Sequence, residues 1–370
     1  MKRIVFITIS IGYGGAEKML TYVANSLSER GHKCAIINLD CFSGFINEKV
    51  QDISEEISVF TVGNNPKKKF GEKIKNKLKQ ISEISDICKE FKADVIVGFL
   101  GKPNMIATIV AKKLGISSIV SERGDPNRTW NKKNIIDKIM LSTINSSEGG
   151  VFQTRGAMDF YSKRLKERSV VIPNPIFVDK NIQPCINIPR KKTVVSVGRF
   201  DNKQKRYDIM LNAFKIFYES HKDYVLKLYG SGNDEALIKQ LADDMGISDE
   251  VLFMGVSQCP MNDIKEDGIF IITSDFEGIS NSLLEAMAIG LPCVSTDHTP
   301  GGARMLIENE VNGLLSPIGD SVDLAKKMSR FADDEEFAKM CGERATKVVE
   351  RFEPSKIIDS WEDYILKVIK

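Results

Sequence analysis

Apolar positions along the chain come in short runs separated by polar, helix-like stretches. Residues 3–10 read as a buried strand, and 15–30 as a helix that stops at Gly31. Further strands are expected over 33–39, 58–62, 94–99, 117–120 and 149–153. The alternation restarts near Lys191, with strands over 193–197, 224–229, 251–254, 268–273 and 292–295. Strands alternating with helices imply parallel sheets joined by crossover helices. Between the halves, Pro173, Pro175, Pro184 and Pro189 mark an extended linker. The expected class is α/β, with two doubly wound, Rossmann-like domains over 1–178 and 179–353. A last amphipathic helix, 354–370, carries Ile357, Ile358, Trp361, Tyr364, Ile365 and Val368 on its apolar side.

Residues 269–273 form an apolar run, Ile-Phe-Ile-Ile-Thr, followed by an acidic turn containing Glu277 and Gly278. A helix is expected to open near Ser280 or Ser282 and to end at Gly290. A helix N-terminus offers backbone N–H groups and partial positive charge, which suits a diphosphate. Glu285, near the first turn, is placed to accept hydrogen bonds from ribose hydroxyls, and Glu277 to reach the sugar beyond. The plainer alternative is an acidic first turn that complements the helix dipole. Arg199 follows a strand and Gly198, and offers a planar fork; Lys205 offers a mobile ammonium. Together they suit the charge that grows on a leaving diphosphate.

This segment resembles the Glu-x7-Glu signature of retaining glycosyltransferases of the two-domain GT-B fold, family 4 in particular. The resemblance runs over nearly the whole chain. Val197-Gly198-Arg199-Phe200 with Lys205 is similar to the family's diphosphate clamp. Leu228-Tyr229-Gly230-Ser231-Gly232 resembles its second strand-turn, and 251–255, ending at Gly255, the strand beside the base. Gly14-Gly15-Ala16-Glu17 resembles its N-terminal glycine loop. The resemblance implies two domains facing across a cleft, with the C-terminal helix packing back on the first. It implies catalytic roles for Glu277, Arg199, Lys205 and Arg123. It also implies donor contacts from Gly15, Gly198, Gly230, Ser231, Gly255, Gly278, Ile279, Ser280 and Glu285. One departure stands out: Ser121-Glu122 leads into Arg123-Gly124-Asp125-Pro126, where many members have a histidine. Arg123 then binds donor or acceptor phosphate, or makes a structural ion pair.

The implied activity is transfer of a sugar from a nucleotide-diphosphate sugar, UDP-sugar favoured, to a lipid-linked or polymeric saccharide. Bacterial surface polysaccharide such as capsule or lipopolysaccharide is the implied setting, at the inner face of the plasma membrane. The mechanism implied is front-face retention, with Glu277 positioning the sugar. A GT-B nucleotide-sugar epimerase is the competing enzyme, and a non-catalytic saccharide-binding subunit the competing class. A dinucleotide oxidoreductase would need Gly-x-Gly-x-x-Gly after the first strand, which residues 11–16 do not supply.

Bulk properties narrow the setting. At 370 residues the chain suits two domains. No apolar run of about 18 residues is present. The N-terminus reads as a buried strand in preference to a signal peptide. Seven scattered cysteines without a Cys-x-x-Cys pair argue for a reducing compartment. No Asp-x-Asp follows a strand and the three histidines do not cluster, so no metal or other cofactor is expected. Residues 1–180 hold 29 Lys and Arg against 19 Asp and Glu, and the remainder 23 against 31. The basic half either faces an anionic surface or attracts the acidic half. No nucleic-acid partner is expected. Phe70, Ile74, Leu78, Ile81, Ile84, Ile87 and Phe91 recur at helical spacing, with Lys67, Lys68, Lys69, Lys73, Lys75, Lys77 and Lys79 around the start. A basic amphipathic helix of this kind suits an anionic bilayer. The alternative buries the stripe and solvates the lysines.

Overall fold

The computed structural model describes residues 1–12, 15–39, 53–63, 70–178 and 182–369. The chain divides into two compact units, Met1–Asn174 with Ser355–Lys370, and Pro175–Pro354.

The first unit is built on β1 (Arg3–Thr8), β2 (Lys33–Asn38), β3 (Ser58–Thr61), β4 (Val95–Phe99), β5 (Ser117–Glu122), β6 (Gly149–Phe152) and β7 (Ser169–Val171). Their order is β3-β2-β1-β4-β5-β6-β7, and every described pair is parallel. Parallel strands are covered on both faces, so the runs are apolar throughout instead of alternating. Ile4 and Phe6 face one core, with Trp361 and Ile365 of the terminal helix Pro354–Val368. Val5 and Ile7 face the other, with Ile84 and Val110.

The second unit repeats the plan with β8 (Thr193–Val197), β9 (Val225–Tyr229), β10 (Val251–Gly255), β11 (Ile269–Ile272), β12 (Cys293–Thr296) and β13 (Leu314–Ser316). The order is β10-β9-β8-β11-β12-β13, again parallel. Val194 and Ile271 pack on one face, Val195 and Phe270 on the other. In both sheets the order reverses beside the first strand, between β1 and β4 and between β8 and β11. Open sheets of this kind bind ligands at the carboxyl ends beside that reversal.

The helix Phe70–Glu90 forms. Lys67, Lys68 and Lys69 lie outside the described residues, as do the side chains of Phe70, Lys73, Ile74 and Lys75. From Ile81 onward the apolar stripe turns inward. Ile84 is buried and Ile81, Ile87 and Phe91 pack against the same core, while Leu78 is exposed. From Ile81 onward the stripe is thus spent on the protein, and that part of the helix has no apolar face left for a bilayer. Among the described residues no helix is long and apolar enough to cross a membrane.

Candidate functional site

The site is set by the carboxyl ends of β8 and β11, the neighbours at the reversal in the second unit. After β8 the chain turns at Gly198 and enters the short helix Asn202–Lys205, whose Gln204 N–H is capped by Asp201 at 3.3 Å. After β11 the segment from Thr273 to Glu277 runs alongside that helix. Thr273 Oγ1 donates to the Lys205 carbonyl at 2.8 Å, and Gln204 Nε2 to the Phe276 carbonyl at 3.1 Å. This stitching carries Lys205 Nζ to 2.6 Å from Glu277 Oε1. The Ser274 hydroxyl donates to the same oxygen. Glu277 is buried, and burial works against its charge. The Lys205 and His298 charges and the Lys205 and Ser274 hydrogen bonds outweigh that penalty and hold the carboxyl down at about 2. Glu277 is therefore a carboxylate at neutral pH: it accepts hydrogen bonds and has no proton to give.

Arg199 stands apart from this pair. Its side chain is 68% exposed and rests on Asp201 at 3.2 Å and Gln204 at 3.3 Å. An exposed contact of that kind is weak, so the guanidinium is available to a stronger anion. Arg206 is not available. It adopts the left-handed backbone region at φ 53° and bridges Asp208 and Asp275, both at about 3 Å, which raises its pKa further.

The three glycine turns lie side by side. Gly198 N–H donates to the Tyr229 carbonyl at 2.9 Å, Phe200 N–H to that of Ser231 at 2.9 Å, and Gly230 N–H to that of Gly255 at 2.7 Å. A Cβ on Gly230 would fall 1.9 Å from the Gly198 oxygen, so the approach of these turns requires glycine. The loop after Glu277 is pressed against another: a Cβ on Gly302 would fall 1.6 Å from the Gly278 oxygen. Ile279 and Ser280 are buried there. The helix Asn281–Ala288 opens without a side-chain cap, since Ser280 Oγ meets Ser282 Oγ at 3.2 Å. Glu285, expected near the first turn, is the fifth helical residue and half-buried.

The remaining two candidates belong to the first unit. Gly15 opens the helix Gly15–Glu29, and its neighbour Gly14 lies outside the described residues. Arg123 is buried, and both terminal nitrogens are engaged within its own unit. Nη1 donates to the Ile172 carbonyl at 3.1 Å, Nη2 to Asn174 Oδ1 at 2.6 Å, and the guanidinium lies 5.9 Å from the Trp361 ring. The guanidinium makes no close ion pair among the described residues; its charge acts on the adjacent Glu122, and Nε is buried without a hydrogen bond.

Ser274 and His298 belong to the site and escaped the sequence reading. Ser274 carries the signal of a hydroxyl three residues before a site glutamate. His298, in the loop after β12, is fully buried. Neither ring nitrogen has a well-formed hydrogen bond. Burial lowers its pKa, a shift that Glu277 opposes and Lys205 reinforces. Among the described residues no group of three or more His, Cys, Asp or Glu could hold a metal ion.

Residues 179–348 match the family model "Glycosyl transferases group 1", and 6–125 match "Glycosyltransferase family 28 N-terminal domain". An uncharacterized glycosyltransferase of Haemophilus influenzae is 24% identical over 98% of this chain and 99% of its own. A Campylobacter jejuni relative is 24% identical over 100% of this chain and 99% of its own; it is named an α-1,4-N-acetyl-D-galactosaminyltransferase acting on a diphospho-undecaprenol-linked saccharide. The solved structure of Anabaena HepE with UDP superposes with TM-score 0.81 at 18% identity, over 99% of this chain and 100% of that one. The fold is GT-B. The chain is a GT-B glycosyltransferase, and neither competing reading gains support from these relatives.

Proposed function

We propose that the chain is a retaining, metal-independent glycosyltransferase of the family 4 type. It transfers a hexosyl unit from a UDP-sugar to a lipid-linked or polymeric saccharide. The observation that carries this reading is the Lys205–Glu277 pair at the reversal between β8 and β11. One ammonium there can serve two anions at once. Lys205 orients the Glu277 carboxylate and presents its remaining N–H bonds to a diphosphate. Arg199 leaves Asp201 for the same diphosphate, and the opening of helix Asn281–Ala288 adds partial positive charge. Two cations and a helix end suit a diphosphate without a metal ion. Glu285 takes the ribose hydroxyls.

Glu277 is poorly suited to be a nucleophile, since one oxygen already accepts from Lys205 and Ser274. Its role is to accept hydrogen bonds from the donor sugar. Retention then follows from a front-face displacement. The bond from the anomeric carbon to the diphosphate oxygen breaks, and the acceptor oxygen bonds to that carbon on the same face. The acceptor proton passes to the departing phosphate. UDP as the carrier is supported by the Anabaena structure. A lipid-linked acceptor is supported by the Campylobacter relative's named substrate. The site of action proposed is the inner face of the bacterial plasma membrane, in surface polysaccharide assembly.

The test is incubation of the purified chain with a panel of UDP-sugars and a polyprenyl-diphosphate saccharide, with and without EDTA. An axial product linkage from an axial donor, formed in EDTA, is the expected result. An inverted anomer would overturn retention. Loss in EDTA with rescue by Mg²⁺ or Mn²⁺ would overturn metal independence. Epimerised nucleotide sugar without transfer would overturn the reading as a whole.

A further inference from the structure

In the first unit β5 ends at Glu122, and the chain crosses back to β6 through the helix Ile135–Ile144. Because β5 and β6 are parallel, that helix begins at the carboxyl rim of the sheet, the rim at which open sheets receive ligands. Its far end is anchored: Leu141 and Ile144 are buried with Val120, Trp130 and Phe152. Its first turns are not. Ile135, Ile136 and Ile139 are 69%, 62% and 62% exposed, more than any other isoleucine among the described residues. Asn134 caps the helix through the Ile136 N–H at 2.8 Å, so the exposed turn is well formed. Arg128, Lys132, Lys133 and Lys138 are exposed around it, with the Lys132 ammonium donating to the Phe160 carbonyl at 3.2 Å and lying 3.8 Å from the centre of its ring. The one acidic residue of that turn, Asp137, accepts from the Asn131 N–H at 2.8 Å.

We propose that the opening of helix Ile135–Ile144 is a membrane-docking wedge, in which Ile135, Ile136 and Ile139 enter an anionic lipid surface and the surrounding cations meet its headgroups. The charge pattern selects the occupant. An apolar turn ringed by four cations and one internally bonded acid complements an anionic bilayer, and it would repel a second copy of itself. The wedge holds the carboxyl rim of the first sheet at the interface where a lipid-linked saccharide presents its head. This inference rests on the membrane clause of the function proposed above and on none of its donor chemistry.

Flotation of the full chain with vesicles of phosphatidylethanolamine and phosphatidylglycerol tests it. The wild type should float with these vesicles and not with purely zwitterionic ones. Changing Ile135, Ile136 and Ile139 to Ser should lower the partition by about tenfold or more, since apolar insertion is lost. Lys133→Glu with Lys138→Glu should lower it at low salt only, because that attraction is screened within a Debye length. Ile136→Trp should show a blue-shifted emission on adding vesicles. Hydrolysis of the nucleotide sugar in solution should be unchanged in all three, which keeps failure of the wedge distinct from failure of the donor site. Wild-type flotation by the triple Ser variant would overturn the proposal. So would absence of flotation by the wild type, or self-association that the triple Ser variant abolishes.

Discussion

Lys205 and Glu277 are 72 positions apart in sequence, yet their charged atoms lie 2.6 Å apart with both side chains largely buried. The pair joins the two loops that leave β8 and β11. Removing one partner therefore has two consequences, one for the fold and one for the chemistry. A buried carboxylate left without its cation is costly, while removing both charges together is far less so.

Lys205→Met should therefore destabilise the protein by about 3 kcal/mol in urea unfolding and lower turnover by about 10²–10³-fold. Adding Glu277→Gln should recover most of the stability and none of the turnover. Arg199→Ala should show the opposite pattern, with stability unchanged and turnover down by a similar factor of about 10²–10³, because its present contacts are exposed. Equal destabilisation by the two single variants would refute the distinction between a built-in and a borrowed cation.

The two glutamates should separate by ligand. Glu285→Gln, assigned to ribose, should weaken free UDP and UDP-sugar alike in calorimetry. Glu277→Gln, assigned to the sugar, should weaken UDP-sugar far more than UDP. The reverse order would mean that the roles are exchanged.

The glycine contact between the loops makes a purely steric prediction. Gly302→Ala places a carbon where the Gly278 oxygen stands, at 1.6 Å, so one loop must shift. The donor affinity should fall with the displaced Gly278–Ser280 segment, whereas Gly319→Ala, with open space around it but φ at 78°, should cost backbone strain alone and leave donor affinity unaltered. Unchanged donor binding in Gly302→Ala would show that this loop does not position the site.

Much of this arrangement is readable in the chain because parallel strands buried on both faces leave continuous apolar runs. The ends of β8, β9, β10 and β11 are thereby marked, and with them the turns at Gly198 and Glu277, whereas Gly230 and Gly255 are singled out by the family resemblance alone. Strands β7 and β13 are not legible in the sequence, since three residues carry too little periodicity. The ion pair was not readable: Arg199, Lys203, Lys205 and Arg206 offered four cations, and only the fold decides which turns inward. Arg123 shows the same limit, because its partner Asn174 and the ring of Trp361 are distant in sequence. The stripe of helix Phe70–Glu90 marks a face, and periodicity does not say what covers it. His298 is not legible either, because a histidine in a polar loop gives no sign of its burial.

Two buried carboxyls should shape the stability profile in opposite directions. Glu277 is held at about 2, below its ordinary value of 4.5, so the folded state holds its proton more weakly than the unfolded chain does. Its contribution is present above 4.5 and is lost as the pH falls towards 2. Glu122 behaves oppositely. Burial raises it to about 7, against the lowering effects of the Tyr161 hydroxyl, the backbone N–H groups of Arg123 and Gly124 and the Arg123 charge. The folded state keeps a proton that the unfolded chain releases, so stability falls as the pH rises from 4.5 to about 7. The two carboxyl trends cross at about pH 5, and the buried His298, whose pKa burial lowers below 6.5, adds a rise with pH that softens the Glu122 limb. Urea midpoints measured from pH 3 to 8 should show a maximum near that crossing. Glu122→Gln should flatten the limb above it and Glu277→Gln the limb below. A wild-type profile that rises steadily to pH 8, unaltered by Glu122→Gln, would mean that Glu122 is ionised in the folded protein.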